Sequence, residues 1–368
     1  MAPRDRIVVA LSGGVDSAVA AARLVDEGHE VIGVMLRLWA EIVPGQPSLN
    51  RCCADEAVAD ARRVADQLGI PFYLINVERP FKQAVVDRFI AGYASGVTPN
   101  PCLFCNRVIR FERLLQYALS VEAVALATGH YARVAHDPAR GRFLLLRGVD
   151  RAKDQSYVLY LLEQWQLARL RFPLGETTKA AVRAEAQARG LPVAVKPESQ
   201  ELCFVADGDY RRFLGDWAPQ AVRPGPIVDR EGRTLGEHRG LPFYTIGQRR
   251  GLGIAAREPL YVLDLDAQRN AVVVGTAAEL GRAELTAAQV HWIAGGPPAD
   301  GRTLFAQIRA HGAAVAATVH SLPEGRAAVR FERPLRDVTP GQAVVFYDGE
   351  FCLGGGIIEP SGRPLPPF

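Results

Sequence analysis

The sequence predicts an α/β fold built on a doubly wound parallel sheet, followed by a small mixed central domain and a C-terminal β-barrel. Three observations carry this. The apolar run 7–11 feeds at once into a glycine turn and an Ala-rich helix. Strand-like and helix-like segments then alternate as far as Ala127. Beyond Ala287, short apolar stretches recur between turn residues, as in a small barrel.

The elements follow in order. Residues 7–11 form a β-branched strand, and 18–25 a helix ending near Gly28. Residues 31–38 and 71–77 predict strands flanking a helix at Asp55–Leu68. Helices are expected over 81–93 and 108–119, then a strand over 124–127 that runs into Thr128-Gly129-His130. A further short helix is expected over 157–162, capped by Asp154-Gln155-Ser156. The Gly-Pro turns and strands between Asp209 and Gly275 form the central piece, and six short strands between His291 and Ile358 the barrel. The expected boundaries are 1–205, 206–280 and 281–361, with a Pro-rich tail at 362–368.

A chain of 368 residues is long enough for several domains. Its 48% apolar and 23% charged residues exclude a disordered chain. With 43 basic against 40 acidic residues the net charge is only +3, so any nucleic-acid binding must rest on a local basic surface. The N-terminal apolar run is too short to span a membrane and lacks a signal-peptide cleavage region, so no membrane partner and a cytoplasmic location are expected. Six cysteines in so long a chain are no disulfide scaffold.

Ser12-Gly13-Gly14-Val15-Asp16-Ser17 stands between the first strand and the first helix. Paired glycines let the backbone turn its N–H groups toward an anion, the helix N-terminus adds favourable partial charge, and Ser12 and Ser17 can donate hydroxyls. The loop is neither a Walker A motif nor G-x-G-x-x-G. Asp16 would repel a bare phosphate, which implies that it works through Mg²⁺. Met35 and Gly129 sit near strand ends, where each can line an adenine pocket or serve as core filler and turn glycine respectively.

Thr98-Pro99-Asn100-Pro101-Cys102-Leu103-Phe104-Cys105-Asn106 holds a C-x-x-C pair in a proline-stiffened loop, ahead of a helix expected near Arg107. A thiol at a helix N-terminus near Arg107 and Arg110 favours its thiolate. Cys203 lies far along the chain beside another proline-containing loop. Three such thiols can hold a [4Fe–4S] cluster with one iron open, or two of them can carry and resolve a persulfide. Zinc with His130 as fourth ligand is the plainer alternative. Cys52, Cys53 and Cys352 receive no chemical role.

The hexapeptide resembles the PP-loop of the N-type ATP pyrophosphatases. Together with Ala127-Thr128-Gly129-His130-Tyr131, Lys153-Asp154-Gln155-Ser156-Tyr157, Cys203-Phe204, the stretch from Thr245 to Gly253, Pro340-Gly341-Gln342 and Cys352-Leu353-Gly354-Gly355-Gly356, it makes the chain similar to the tRNA-specific 2-thiouridylase (MnmA) family from end to end. The resemblance implies that ATP adenylates the C2 oxygen of the wobble uridine in tRNAs for Lys, Glu and Gln, and that sulfur then displaces AMP. It assigns nucleotide binding to Ala10, Leu11, Ser12, Gly13, Gly14, Val15, Asp16 and Ser17, with Met35 and Gly129. It places Asn100, Pro101 and Cys102 beside a flipped-out base. His130, Lys153, Asp154, Gln155, Arg309, Ala310 and Gln342 match positions that meet tRNA.

In the persulfide version of the family mechanism, Cys203 receives sulfur from a donor protein or cysteine desulfurase. Cys105 frees it and closes a transient disulfide with Cys203. Many members have Asp where this chain has Cys102, and that third thiol tilts the expectation toward the subset in which Cys102, Cys105 and Cys203 hold a [4Fe–4S] centre. Ala310 stands where the family has Tyr, which removes one stacking or hydroxyl contact to RNA. Competing readings are another PP-loop enzyme, such as a cytidine thiolase or an amide-forming synthetase, and a non-enzymatic RNA-binding protein with a barrel module.

Overall fold

The structure is a computed structural model that describes residues 4–41, 55–197, 202–336 and 338–365. The chain forms two compact units. The first comprises Met1–Val85, Cys102–Asp209 and Glu350–Cys352; the second comprises Val86–Pro101, Tyr210–Gly349 and Leu353–Phe368. Among the described residues no helix is long and apolar enough to cross a membrane.

In the first unit, five parallel strands lie in the order Phe72–Asn76, Glu30–Arg37, Arg6–Ala10, Ala125–Ala127, Leu170–Arg171. The first strand in the sequence is central, and the chain winds outward on both sides of it. The strand order therefore reverses between Arg6–Ala10 and Ala125–Ala127, and a doubly wound sheet opens its ligand crevice at the carboxyl ends of those two strands. Helix Val15–Asp26 buries Val15, Ala18 and Val19 against Val182, Ala186 and Leu191 of the later helix Lys179–Ala188 and the turn after it. Its Ala21 and Leu24 face Ala57, Ala61 and Ala65 of helix Asp55–Leu68. Small side chains on this helix allow both neighbours to come close.

The second unit carries a four-stranded mixed sheet, in the order Tyr261–Asp266, Ala271–Gly275, Gly225–Val228, Thr234–His238. It also carries a closed barrel. The strands Arg282–Trp292, Arg326–Leu335, Val315–Leu322, Arg302–Gln307, Ala343–Asp348 and Phe351–Ile358 follow one another around it. Pairing of Ala287 with Ile358 and of Trp292 with Gly354 closes the ring. Leu285, Leu304, Ala317, Val329 and Phe346 fill its interior. The expected fold class is the observed one.

Several elements differ from expectation. The 81–93 helix is a composite of Glu78–Phe81, a π-helical stretch Lys82–Val86, and Asp87–Ala94. The helix expected near Arg107 starts at Pro101, because proline suits a first helical position where its missing N–H costs nothing. It widens into π-helix over Cys105–Leu114 before Leu115–Ser120. Only a 3₁₀ turn, Ser156–Val158, forms where 157–162 was expected to be helical. The hairpin Ala132–Asp137 with Arg142–Arg147, the edge strand Leu170–Arg171 and helix Lys179–Ala188 had no counterpart in the sequence reading.

Candidate functional site

The glycine loop sits at the switch point, directly after the central strand. Gly13 adopts φ +67°, and a Cβ there would lie 2.4 Å from the Ala57 carbonyl oxygen, so no other residue fits. Gly14 is the N-cap of helix Val15–Asp26, and no side chain caps that terminus. Its first N–H groups are thus left for a ligand. The hydroxyl of Ser17 donates to the Gly14 carbonyl at 3.0 Å and accepts from the Ser12 N–H at 3.1 Å. Ser17 therefore braces the loop and is itself buried, whereas it was expected to be a donor.

Gly129, at the end of the neighbouring strand, packs directly against the glycine loop. A Cβ at this position would lie 2.8 Å from both the Asp16 carbonyl carbon and the Ser17 nitrogen. Its backbone therefore rests directly on the loop. Met35 is 1% exposed and belongs to the apolar core formed with Ile7, Val9 and Leu24.

Three side chains that sequence reasoning passed over surround the loop. The Lys179 ammonium donates to both Asp16 carboxylate oxygens, at 2.6 and 2.7 Å, and lies 5.8 Å from the Tyr131 ring centre. The Tyr131 hydroxyl donates to Asp16 at 2.8 Å. Lys196 donates to the Gly13 carbonyl at 3.0 Å and pairs with the Asp60 carboxylate. Lys179 opens a helix capped by Thr178, and Arg23 holds that segment through Glu185, Thr177 and the Pro173 carbonyl. The Thr-Thr-Lys sequence before an apolar-periodic run was the available signal. These lysines bring to the loop the positive charge that a Walker lysine brings to other phosphate sites. Asp16, expected at Mg²⁺, here has its carboxylate on Lys179.

Cys102, Cys105 and Cys203 all belong to the first unit. Cys102 is exposed, Cys105 is buried and Cys203 is half-buried; each is a thiol, so the transient Cys105–Cys203 disulfide is not formed here. Among the described residues no group of three or more His, Cys, Asp or Glu side chains is arranged to hold a metal ion. The three thiols therefore do not fit a [4Fe–4S] cluster in this arrangement. His130 is no zinc ligand either. It is 6% exposed, held between the Phe111 and Phe172 rings, with Nδ1 2.7 Å from Thr128 Oγ1. Burial, with a smaller contribution from Arg110, lowers its pKa to about 3, so it stays neutral. Cys352 is buried, and Cys52 and Cys53 lie outside the described residues.

The positions matched to RNA contacts fall into two groups. In the first unit, the Asp154 carboxylate is fully engaged by Arg147, the Gly148 N–H, and the N–H and hydroxyl of Ser156. Gln155 accepts from the Tyr131 N–H. The helix this segment was expected to cap does not form, and the 3₁₀ turn in its place has Gln155 at its N-cap with no side-chain capping bond. Lys153 is half-exposed. In the second unit, Arg309 donates to Thr339 Oγ1 at 2.7 Å, and Gln307 donates to the Arg309 and Ala310 carbonyls. Gln342 donates to the Thr98 carbonyl at 2.9 Å. Asn100 is half-buried and Pro101 buried, at the start of the helix that carries Cys102.

Comparison with known proteins covers nearly the whole chain. Residues 5–207 match a family described as tRNA methyl transferase HUP domain, 211–276 its PRC-barrel domain, and 282–358 an aminomethyltransferase beta-barrel domain. A relative in Chloroflexus aurantiacus is 52% identical over 96% of this chain and 98% of its own. One in Moorella thermoacetica is 51% identical over 96% and 99%. One in Magnetococcus marinus is 49% identical over 97% and 100%. All three relatives carry the name tRNA-specific 2-thiouridylase MnmA.

Proposed function

Because the chain belongs to the tRNA-specific 2-thiouridylase family, we propose that it is a tRNA-uridine 2-sulfurtransferase that uses ATP to convert the wobble uridine to 2-thiouridine. The observation that carries this is the uncapped glycine loop at the switch point of the parallel sheet, flanked by Lys179 and Lys196. Such a loop suits a polyphosphate, which methyl transfer, the reaction in the family description, does not call for.

ATP lies with its phosphates on residues 10–17. The C2 oxygen of the uridine attacks the α-phosphorus, and pyrophosphate leaves. This converts a poor leaving group, a nucleobase oxygen, into a good one, AMP. Lys179 exchanges Asp16 for the phosphates, and Asp16, a hard oxygen donor, would then hold the Mg²⁺ that accompanies ATP. Gly129 packs its backbone against the phosphate loop, and Met35 supports the sheet from within the apolar core.

Sulfur arrives on Cys203 as a persulfide, from a sulfur-carrier protein or a cysteine desulfurase. The Cys105 thiolate attacks the inner sulfur of Cys203; the S–S bond of the persulfide breaks, hydrosulfide leaves, and a Cys105–Cys203 disulfide forms. Hydrosulfide attacks C2 and AMP departs. A dithiol reductant then reopens the disulfide. This route needs two thiols to meet briefly, where a cluster needs three to be held together. Asn100, Pro101 and Cys102 flank the base, with Lys153 and Arg309 on RNA. The substrates are tRNAs for Lys, Glu and Gln, and the enzyme works in the cytoplasm. Its domains are 1–205, 206–280 and 281–361.

The test is mass spectrometry of wobble nucleosides after incubating protein, tRNA and ATP with a cysteine desulfurase system. The expected product is 2-thiouridine with one AMP released per sulfur. Thiolated cytidine, or no AMP release on adding tRNA, would overturn the reading. Cys203→Ser should abolish thiolation; a synthetase would keep its activity.

A further inference from the structure

Two consecutive peptide planes of the phosphate loop are held by their carbonyl oxygens. The Gly13 carbonyl accepts from the Lys196 ammonium at 3.0 Å, and the Gly14 carbonyl accepts from the Ser17 hydroxyl at 3.0 Å. In a trans peptide the carbonyl and the following N–H point in opposite directions. Holding the Gly13 carbonyl therefore aims the Gly14 N–H away from Lys196, and holding the Gly14 carbonyl aims the Val15 N–H away from Ser17. Both N–H groups belong to the uncapped terminus of helix Val15–Asp26. Gly13, at φ +67°, has a freedom that other residues lack, so its peptide plane most needs an external hold.

Lys196 is in turn held by helix Asp55–Leu68. Its ammonium pairs with one oxygen of the Asp60 carboxylate, and Arg63 takes the other. The Asp60 side chain is 6% exposed and that of Lys196 21%, so this pair is largely shielded from water. One turn earlier on the same helix, Ala57 meets Gly13, where a Cβ would lie 2.4 Å from the Ala57 carbonyl oxygen. The helix thus reaches Gly13 twice, by direct packing and through the Asp60–Lys196 pair. The Lys196 backbone is tethered as well: its N–H donates to the Val193 carbonyl at 3.1 Å, and its carbonyl accepts from Arg183 at 3.4 Å. All of these residues lie in the first unit. An ammonium fixed between a carboxylate and a carbonyl has its charge balanced by the one and its direction set by the other.

We propose that Lys196 and Asp60 are positioning residues for the phosphate loop. Asp60 holds the ammonium, the ammonium holds the Gly13 carbonyl, and the Gly14 N–H is thereby aimed at the polyphosphate. Neither side chain touches ATP. The inference rests on the ATP-dependent reading, and it adds a buried carboxylate on a neighbouring helix to what sets nucleotide affinity. The rival role for Lys196 is that of a phosphate ligand, which Asp60 would hold back in the empty site. Removing the Asp60 charge separates the two roles by sign. A positioning lysine loses its anchor and ATP affinity falls, whereas a ligand lysine is released and affinity is kept or rises.

The experiment titrates the full-length protein with ATP in magnesium buffer and, separately, with adenosine, by calorimetry without tRNA. The variants are Lys196→Met, Asp60→Asn and the two combined, with folding checked by thermal unfolding. The expected result is a loss of ATP affinity of about tenfold in Lys196→Met and about threefold or more in Asp60→Asn, with adenosine affinity within about twofold of wild type. The double variant should lose no more than Lys196→Met alone, since both residues act through one carbonyl. ATP affinity unchanged in Lys196→Met, or kept or raised in Asp60→Asn, would overturn the proposal. So would a parallel fall for adenosine, which marks general support of the crevice. Lys196→Met strips the buried Asp60 carboxylate of a partner; should it fail to fold, the double variant, which buries no carboxylate, supplies the same comparison of ATP with adenosine. Wild-type protein that binds ATP no more tightly than adenosine refutes the ATP-dependent reading instead.

Discussion

The phosphate loop and the cysteine segment are built on opposite principles. The loop is six consecutive residues, pinned by Gly13 against Ala57, Gly129 against Asp16, and Lys196 on the Gly13 carbonyl. Those contacts hold the loop backbone in place without a ligand, while Lys179 rests on Asp16. The thiols instead come from two segments a hundred residues apart and differ in exposure, with Cys102 at the surface and Cys105 buried. Phosphate binding can be preorganised because its donors are backbone groups at a helix end. The proposed sulfur transfer would join Cys105 and Cys203 at one stage and part them at another, which a fixed arrangement would stall.

The sharpest way to break this contrast is at the thiols. Cys105→Ser and Cys203→Ser should each abolish 2-thiouridine formation while leaving ATP binding intact, read by mass spectrometry and calorimetry. If either also removes ATP binding, the two regions are not separable. At the loop, Gly129→Ala forces a Cβ into the Asp16–Ser17 backbone. It should weaken ATP binding by about a hundredfold or more, measured by calorimetry without tRNA. Lys179→Met should weaken it less, by about tenfold, because Lys196 and the helix terminus remain. An unchanged affinity would make Lys179 merely the partner of Asp16.

A smaller effect concerns pH. His130 is buried with its pKa lowered from 6.5 to about 3, so the unfolded chain binds a proton there that the folded one does not. The stability it supports is present above pH 6.5 and is lost as pH falls toward 3. The slope is roughly 1.4 kcal/mol per pH unit within that window. Denaturant unfolding at pH 7 and pH 5 should show a smaller loss in His130→Asn than in wild type. An equal loss would mean that His130 is protonated in the folded protein.

How much was legible follows the same division. The loop, its strand and its helix were readable because local chemistry specifies them: a β-branched run, two glycines, then alanines. Gly129 was singled out for its place near a strand end, and only the fold reveals that its backbone touches Asp16. Lys179 and Lys196 escaped notice because a lysine in a helix start or a loop has no signature until tertiary structure aims it. The start of the cysteine helix was misplaced because proline was treated as a breaker where it serves as a first residue. The Asp154 carboxylate, matched to an RNA contact, also accepts four hydrogen bonds from its own neighbourhood. Sequence pattern cannot tell a reader of ligand from a brace.

The first unit takes its last three residues, Glu350–Cys352, from near the end of the chain. There Phe351 pairs with Leu146 and Cys352 with Leu145, and Arg133 and Arg151 both reach Glu350. During synthesis, then, the N-terminal unit waits for some 140 further residues to emerge before its hairpin gains this neighbour, although domains usually settle as they leave the ribosome. A stalled nascent chain ending before Glu350 should stay sensitive to protease at 132–147, and one ending after Ile358 should not.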